Sequence, residues 1–367
     1  MTRKFLSLTI AFASLAAFSV AVTAPAGAQS LSANEKLYAE LAKLPAKERQ
    51  ARLVAGAKKE GTIEMIHSLR RKLGRNHIKG FTKKYPFIKV KNSDMGSQDA
   101  AERVVAEETA GRHLTDTISI GVPDATILIA QNRVARYPTP ATKRIFARYK
   151  GFIDPQNRWV PYYWSEYGMS YNTNLVKEAD APKQWFDLCK PKYKGKFSFD
   201  PPTTRFLVGL YVMMGEEKAK KFIACIGRNN PIIQRGHTAR LKLMLRGDHW
   251  IQGGNYFYRG TKMKNKNPKV PFKAVYTAPV LGYAGAIMIN KNAPHPYAAA
   301  LWADYTLSKT SQKVLRKAWR GTLAMKHAYF PEDAKLITYN YLSADIVNRL
   351  HDYWGKHVGR KVRKRKK

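Results

Sequence analysis

Two short stretches hold residue types from which a binding chemistry could be built. Asp200-Pro201-Pro202-Thr203-Thr204-Arg205 leads into a helical run, so two hydroxyls, the free amides of a helix N-terminus and a guanidinium converge there. In His67-Ser68-Leu69-Arg70-Arg71, Arg70 offers a planar fork that grips a carboxylate or phosphate through two parallel hydrogen bonds. Both stretches suit an anion. Each residue also has a plain structural role: Thr203 and Thr204 as a helix cap, Arg70 and Arg71 as solvated surface, His67 as a strand histidine. No G-x-S-x-G elbow, phosphate-binding P-loop, H-E-x-x-H helix or C-x-x-C pair occurs. Carboxylates are too few near these stretches for paired acid–base work. The chain therefore reads as a binder with no cofactor, not as an enzyme.

The elements that must position these groups alternate. Residues 31–60 read as amphipathic helix stopped by Gly61, and Thr62 to Ser68 as a strand. A helix from Arg75 to Lys84, a strand at Ile88–Val90, a helix from Ala100 to Ala110 and a strand at Thr117–Ile120 follow. This βαβαβ order implies an α/β fold with a parallel, doubly wound sheet. After the aromatic run Pro161-Tyr162-Tyr163-Trp164, a strand at Lys196–Asp200, a helix at Phe206–Met214 and a strand at Gly215–Ile226 are expected. Ala274–Asn290 reads as a long extended return crossover, and helices at Pro296–Leu307 and near Gln312–Trp319 end the globular part.

Arg3 and Lys4, the apolar run Phe5–Val22 and Ala26-Gly27-Ala28 form the pattern of a cleavable signal peptide over residues 1–28, which sends the chain to the periplasm. About 340 residues then remain, enough for two domains. Lys+Arg number 65 against Asp+Glu 26, a net charge of +39, and the run Lys356–Lys367 reads as a basic tail. Such a field attracts anions and acidic surfaces. The chain carries no helix-turn-helix, zinc-finger or RNA-binding aromatic motif, so no specific nucleic-acid partner is expected. Cys189 and Cys225, an even pair in an oxidising compartment, favour a disulfide, but their spacing leaves two buried thiols open as well.

A set of ordered motifs then carries a resemblance. Ala57-Lys58-Lys59-Glu60-Gly61, Phe81–Val90, Tyr171-Asn172-Thr173-Asn174-Leu175-Val176, Gln184–Leu188 with Pro191–Lys196, and Asn292–Ala300 with Asp304-Tyr305 and Ser311-Gln312 stand in sequence over residues 55–325. In this order they resemble the periplasmic solute-binding proteins related to ferric-ion-binding proteins, the extracellular solute-binding family 1. The resemblance implies a two-lobed type 2 periplasmic-binding-protein fold with the second lobe inserted into the first and the ligand in the cleft between them. The expected layout is an N-terminal helical segment at 29–60, lobe 1 at 61–163 and 280–350, lobe 2 at 164–279, and a tail at 351–367. It also implies a monomer working with the membrane permease of an ABC importer; a ligand sensor or a polyanion-binding envelope protein are the competing readings.

The family's iron binders use a histidine after the first strand, a glutamate after the third and two adjacent tyrosines in the second lobe. Here those positions fall near Ser68, Arg70 and Arg71, near Gly121, and on Asn255-Tyr256-Phe257-Tyr258. Hard anionic oxygen ligands for iron are mostly gone, although a slip of one residue pairs Tyr256 with Tyr258 on one face of an extended segment and keeps a ferric site open. The expected ligand is a small organic or phosphorylated anion. The candidate site is Ser68, Arg70, Arg71, Gly121, Tyr167, Thr203, Thr204, Arg205, Asn255 and Tyr256.

Overall fold

Pro45 lacks an amide hydrogen and divides the N-terminal helical stretch into α1 (Ala33–Lys43) and α2 (Ala46–Glu60), where a single helix is expected from the sequence. Ser32 and Glu35 close a capping box on α1, and Gly61 at φ 65° ends α2. The computed structural model describes residues 30–69 and 71–359. The signal-peptide reading, Arg70 and the last basic residues lie outside the described residues. The chain divides into units Met1–Leu31 and Ser32–Lys367, and the sheet and its helices belong to the second.

Chain order continues with β1 (Thr62–His67), α3 (Arg71–Lys84), β2 (Lys89–Ser93), α4 (Ser97–Thr109), β3 (Thr117–Gly121) and the short α5 (Thr126–Ala130). Strand β1 pairs in parallel with both β2 and β3, as the βαβαβ pattern predicts. Beyond them the sheet is mixed. The long β4 (Val160–Asn172) leaves the first lobe and the long β9 (Val280–Ile289) returns to it, antiparallel to β3 and to β4. A crossover that comes back must run against the strand that went out, and the all-parallel expectation fails there.

Between those crossovers lie β5 (Phe197–Phe199), α6 (Thr204–Arg228), β6 (Ile232–Ile233), α7 (His237–Arg246), β7 (Ile251–Asn255), α8 (Tyr258–Lys266) and β8 (Phe272–Val275). Residues Gly215–Ile226, read from sequence as a strand, are helical. Gly215 at φ 75° kinks α6, and Ala219, Phe222, Ile223 and Ile226 bury one helical face beyond it. The extended stretch expected over Ala274–Asn290 is two strands, β8 against β4 and then β9. After β9 come α9 (Pro296–Thr306), α10 (Lys309–Lys317), β10 (Gly321–Thr322), β11 (Leu336–Tyr339) and α11 (Ala344–His357).

The buried apolar residues form two large cores. One gathers Ile63, Ile118, Trp164, Ile287 and Trp302; the other gathers Tyr167, Phe199, Phe206, Ile223 and Tyr283. They meet along β4 and β9, whose residues serve both. The sheet thus runs through two lobes joined by these strands. The second core also takes Leu350, Trp354 and Val358 from the α11 region, a segment expected to close the first lobe and open a tail. Its apolar stripe against α6 outweighs the basic composition that suggested solvated chain. Cys189 and Cys225 are joined with their Cα atoms 5.5 Å apart, tying the turn before β5 to the second half of α6.

Candidate functional site

Helix α6 enters the cleft with Thr203 at its N-cap, whose side chain accepts the Phe206 amide hydrogen at 3.4 Å. Two residues later Arg205 projects across to the other lobe. Its Nε donates to Asp124 Oδ2 at 2.7 Å and a terminal nitrogen lies 2.5 Å from the same oxygen. Burial alone would lower the pKa of Arg205, but Asp124 and the phenols around it hold it well above its usual value. Asp124 sits in a turn three residues after Gly121. A Cβ on Gly121 would stand 3.0 Å from the Tyr283 ring, 3.2 Å from Asp124 Oδ2 and 3.3 Å from Arg205 Nε. The glycine lets the ion pair close.

A cluster of tyrosines lies against Arg205. The Tyr256 hydroxyl is 2.8 Å from that of Tyr283 and 3.4 Å from that of Tyr167, and Arg205 donates to Tyr256 at 3.2 Å and Tyr283 at 3.4 Å. His237 reaches the Tyr167 hydroxyl at 3.4 Å and Asp200 at 3.2 Å. Polar contacts therefore run from Asp200 in the second lobe to Asp124 in the first. Burial raises the pKa of Tyr167, Tyr256 and Tyr283 well above the usual phenol value, so all three stay protonated.

Helix α8 is aimed by a residue of the outgoing crossover. Glu166, buried, accepts the amide hydrogens of Phe257 at 2.9 Å and Tyr258 at 3.0 Å, and the Tyr329 hydroxyl donates to it as well. Its carboxylate occupies the α8 N-terminus and sets the direction of Tyr256 and Tyr258.

Two cavities flank this cluster, and their charges differ. The larger, about 1090 Å³, receives the N-termini of α4, α6 and α7 through Ser97, Thr203, Thr204 and His237. It mixes Arg205 and Arg235 with Asp99, Glu102, Asp124 and Asp200. The smaller, about 560 Å³, is lined by Lys72, Arg259, Lys262, Lys317, Arg320 and Tyr258, with no carboxylate among its described lining residues. The Arg320 guanidinium lies over the Tyr258 ring at 4.5 Å.

The structure thus brings together Gly121, Tyr167, Thr203, Thr204, Arg205 and Tyr256 from the sequence-derived set. Arg71 begins α3. Ser68 holds the end of β1 by donating its amide hydrogen to the Ser119 carbonyl at 3.0 Å, and it lines neither cavity. Asn255 does not face the cleft: it is buried and its Nδ2 donates to Gln252 at 2.7 Å. Gly254 at φ 54°, beside a register shift between β4 and β7, breaks the alternation that would have turned Asn255 outward. Tyr258, the alternative metal ligand, has its ring centre 6.2 Å from that of Tyr256. Among the described residues no group of three or more His, Cys, Asp or Glu could hold a metal ion. Asp124, His237, Tyr283 and Arg320 were missed as site residues. Tyr283, between Gly282 and Gly285 on the return crossover, had a local signal; Arg320 had none.

Residues 126–348 match the model of a family described as bacterial extracellular solute-binding protein. No curated protein matches the sequence. Among solved structures, iron-bound HitA from Pseudomonas aeruginosa is similar with a TM-score of 0.68 at 18% identity, covering 81% of this chain and 99% of that one. The periplasmic binding protein AfuA from Actinobacillus pleuropneumoniae, with fructose-6-phosphate bound, gives 0.65 at 20% identity over 81% and 98%. FutA (IdiA) from Trichodesmium, in complex with iron and citrate, gives 0.64 at 16% identity over 82% and 99%. Identities this low speak to the fold, a two-lobed α/β architecture.

Proposed function

The chain belongs to the bacterial extracellular solute-binding proteins, and from that membership we propose that it is the receptor of an ABC importer, capturing a small organic or phosphorylated anion between its lobes. It works outside the cytoplasmic membrane, delivers its solute to a membrane permease, acts as a monomer and catalyses no reaction. The observation that carries the anion reading is the chemistry of the cleft: two guanidiniums, Arg205 and Arg320, stand beside the phenol rings of Tyr256, Tyr283 and Tyr258. Ferric iron demands anionic oxygen ligands. A guanidinium beside each of Tyr256 and Tyr258 repels a trivalent cation, which makes the two phenols poor candidates for ferric ligands. AfuA, with its phosphorylated sugar, supports the anion reading, and HitA and FutA, with iron, support the other.

The residues proposed to meet the solute or shape its cleft are Arg70 and Arg71 near the end of β1, Gly121, Tyr167, Thr203, Thr204, Arg205 and Tyr256, with Ser68 fixing the loop. Hinge closure about β4 and β9 would bring the two lobes onto the solute. A thermal-shift screen of carboxylates, phosphates, phosphonates and ferric citrate tests the proposal, because a ligand stabilises by its concentration relative to Kd. Stabilisation by one or more anions is expected. A shift with ferric citrate alone, abolished by Tyr256→Phe, overturns the anion reading, and no shift with any solute overturns the receptor reading.

A further inference from the structure

We infer that the solute carries a phosphoryl group and that this group docks in the smaller cavity on Arg320, not on Arg205. The inference rests on the receptor reading above and names the part of the cleft that reads the charge. Arg205 already has a full counter-charge in Asp124 at 2.5–2.7 Å. A second anion at that guanidinium would have to displace a carboxylate held by the fold, and the Asp99 and Glu102 side chains of the larger cavity would repel it.

The smaller cavity has the opposite balance. Lys72, Arg259, Lys262, Lys317 and Arg320 line it, and among the described residues none of the five makes an ion pair. Arg320 is half-buried and lies over the Tyr258 ring at 4.5 Å, a contact that supplies no carboxylate; the carboxylate of Glu166 acts on it only at longer range, with no ion pair between them. In the first lobe, Lys72 comes from α3, Lys317 from the end of α10 and Arg320 from the segment just before β10. Arg259 and Lys262 come from α8, which packs on β8 in the second. Closing the cleft brings these like charges together across the lobes. An oxyanion between them turns that repulsion into attraction, so binding and closure are coupled. A phosphoryl dianion fits a guanidinium fork among five cations that make no ion pair with the described residues better than a singly charged carboxylate does.

Isothermal titration of the folded full chain with inorganic phosphate as the probe, and acetate as its comparison, tests the inference. Phosphate should bind at least tenfold more tightly than acetate, and Arg320→Gln should weaken phosphate at least tenfold. Lys221→Gln, which removes an exposed charge from α6 away from the cavity, should change it less than twofold. The double variant Lys262→Gln/Lys317→Gln, which alters only side chains outside the cores, should also weaken it at least tenfold and serves if Arg320→Gln fails to fold. No phosphate binding, or binding within threefold of wild type in these variants, overturns the inference. If the solute screen finds a ligand while phosphate ignores Arg320, the site assignment fails and the receptor reading stands. If phosphate depends on Arg320 while no organic solute stabilises the protein, the receptor reading fails instead.

Discussion

Asp124 and Arg205 meet across the cleft, one carboxylate oxygen taking both the Nε hydrogen at 2.7 Å and a terminal nitrogen at 2.5 Å. The two residues stand 81 positions apart and belong to different lobes. Beside the crossover strands, this pair is a side-chain tie between the lobes. A tie of this kind biases the equilibrium between open and closed forms.

Asp124→Asn should therefore destabilise the protein by about 1–3 kcal/mol, between the values for exposed and fully buried pairs, because the guanidinium loses its counter-charge. Arg205→Gln alone should do the same, and the double variant should lose less than the sum. Urea denaturation of the four proteins measures that coupling.

Gly121→Ala places a methyl group 3.0–3.3 Å from Tyr283, Asp124 and Arg205. The backbone there is in an ordinary extended conformation, φ −69°, so the cost is crowding and not strain. A loss of about 1 kcal/mol is expected, at the low end for overpacking. In an Asp124→Asn background, where the pair is already weakened, the loss should shrink. The midpoint of urea unfolding reads both.

Acid should unfold the protein earlier than its carboxylates alone would dictate. His67 Nδ1 accepts the Leu69 amide hydrogen at 3.0 Å, and its Nε2 lies 3.3 Å from His77 Nδ1. His77 Nε2 lies 2.5 Å from the Ser311 hydroxyl, which donates to the Thr306 carbonyl at 2.6 Å. One neutral tautomer of each ring satisfies the whole series, assigned from the partners. Burial lowers the pKa of His67 to about 4 and that of His77 well below its usual value. The unfolded chain binds these protons first. Their contribution is complete above pH 6.5 and falls away as pH drops towards 4. The melting temperature should decline over that window, and His77→Gln should flatten the slope while lowering stability at pH 7.

Glu166→Gln should loosen the α8 N-terminus. The amide side chain keeps one acceptor oxygen but removes the charge that faces the Phe257 and Tyr258 amides and the Tyr329 hydroxyl. A cost of about 1–3 kcal/mol follows for a buried, charge-assisted network. Amide hydrogen exchange at Phe257 and Tyr258 should accelerate, which separates this local effect from global destabilisation.

The sequence by itself determined a good deal. The βαβαβ opening was legible because hydrophobic period and glycine stops act within a few residues, and Gly61 ended its helix where composition said it should. Thr203 was legible as a cap for the same reason. The order of short motifs pointed to one two-lobed architecture. What only the tertiary structure decided were facts about distant partners. The antiparallel return of β9 depended on where the chain re-entered the first lobe. The inward turn of Asn255 depended on a bulge against β4. Above all, Arg205 reads as a free anion-binding group until Asp124 is placed beside it, whereas Arg320, with no local signal, lines a cavity with four other cations and makes no ion pair among the described residues. A residue's type fixes its charge. Whether that charge is already neutralised depends on which side chain the fold brings within a few ångströms, and no local pattern in the chain encodes that.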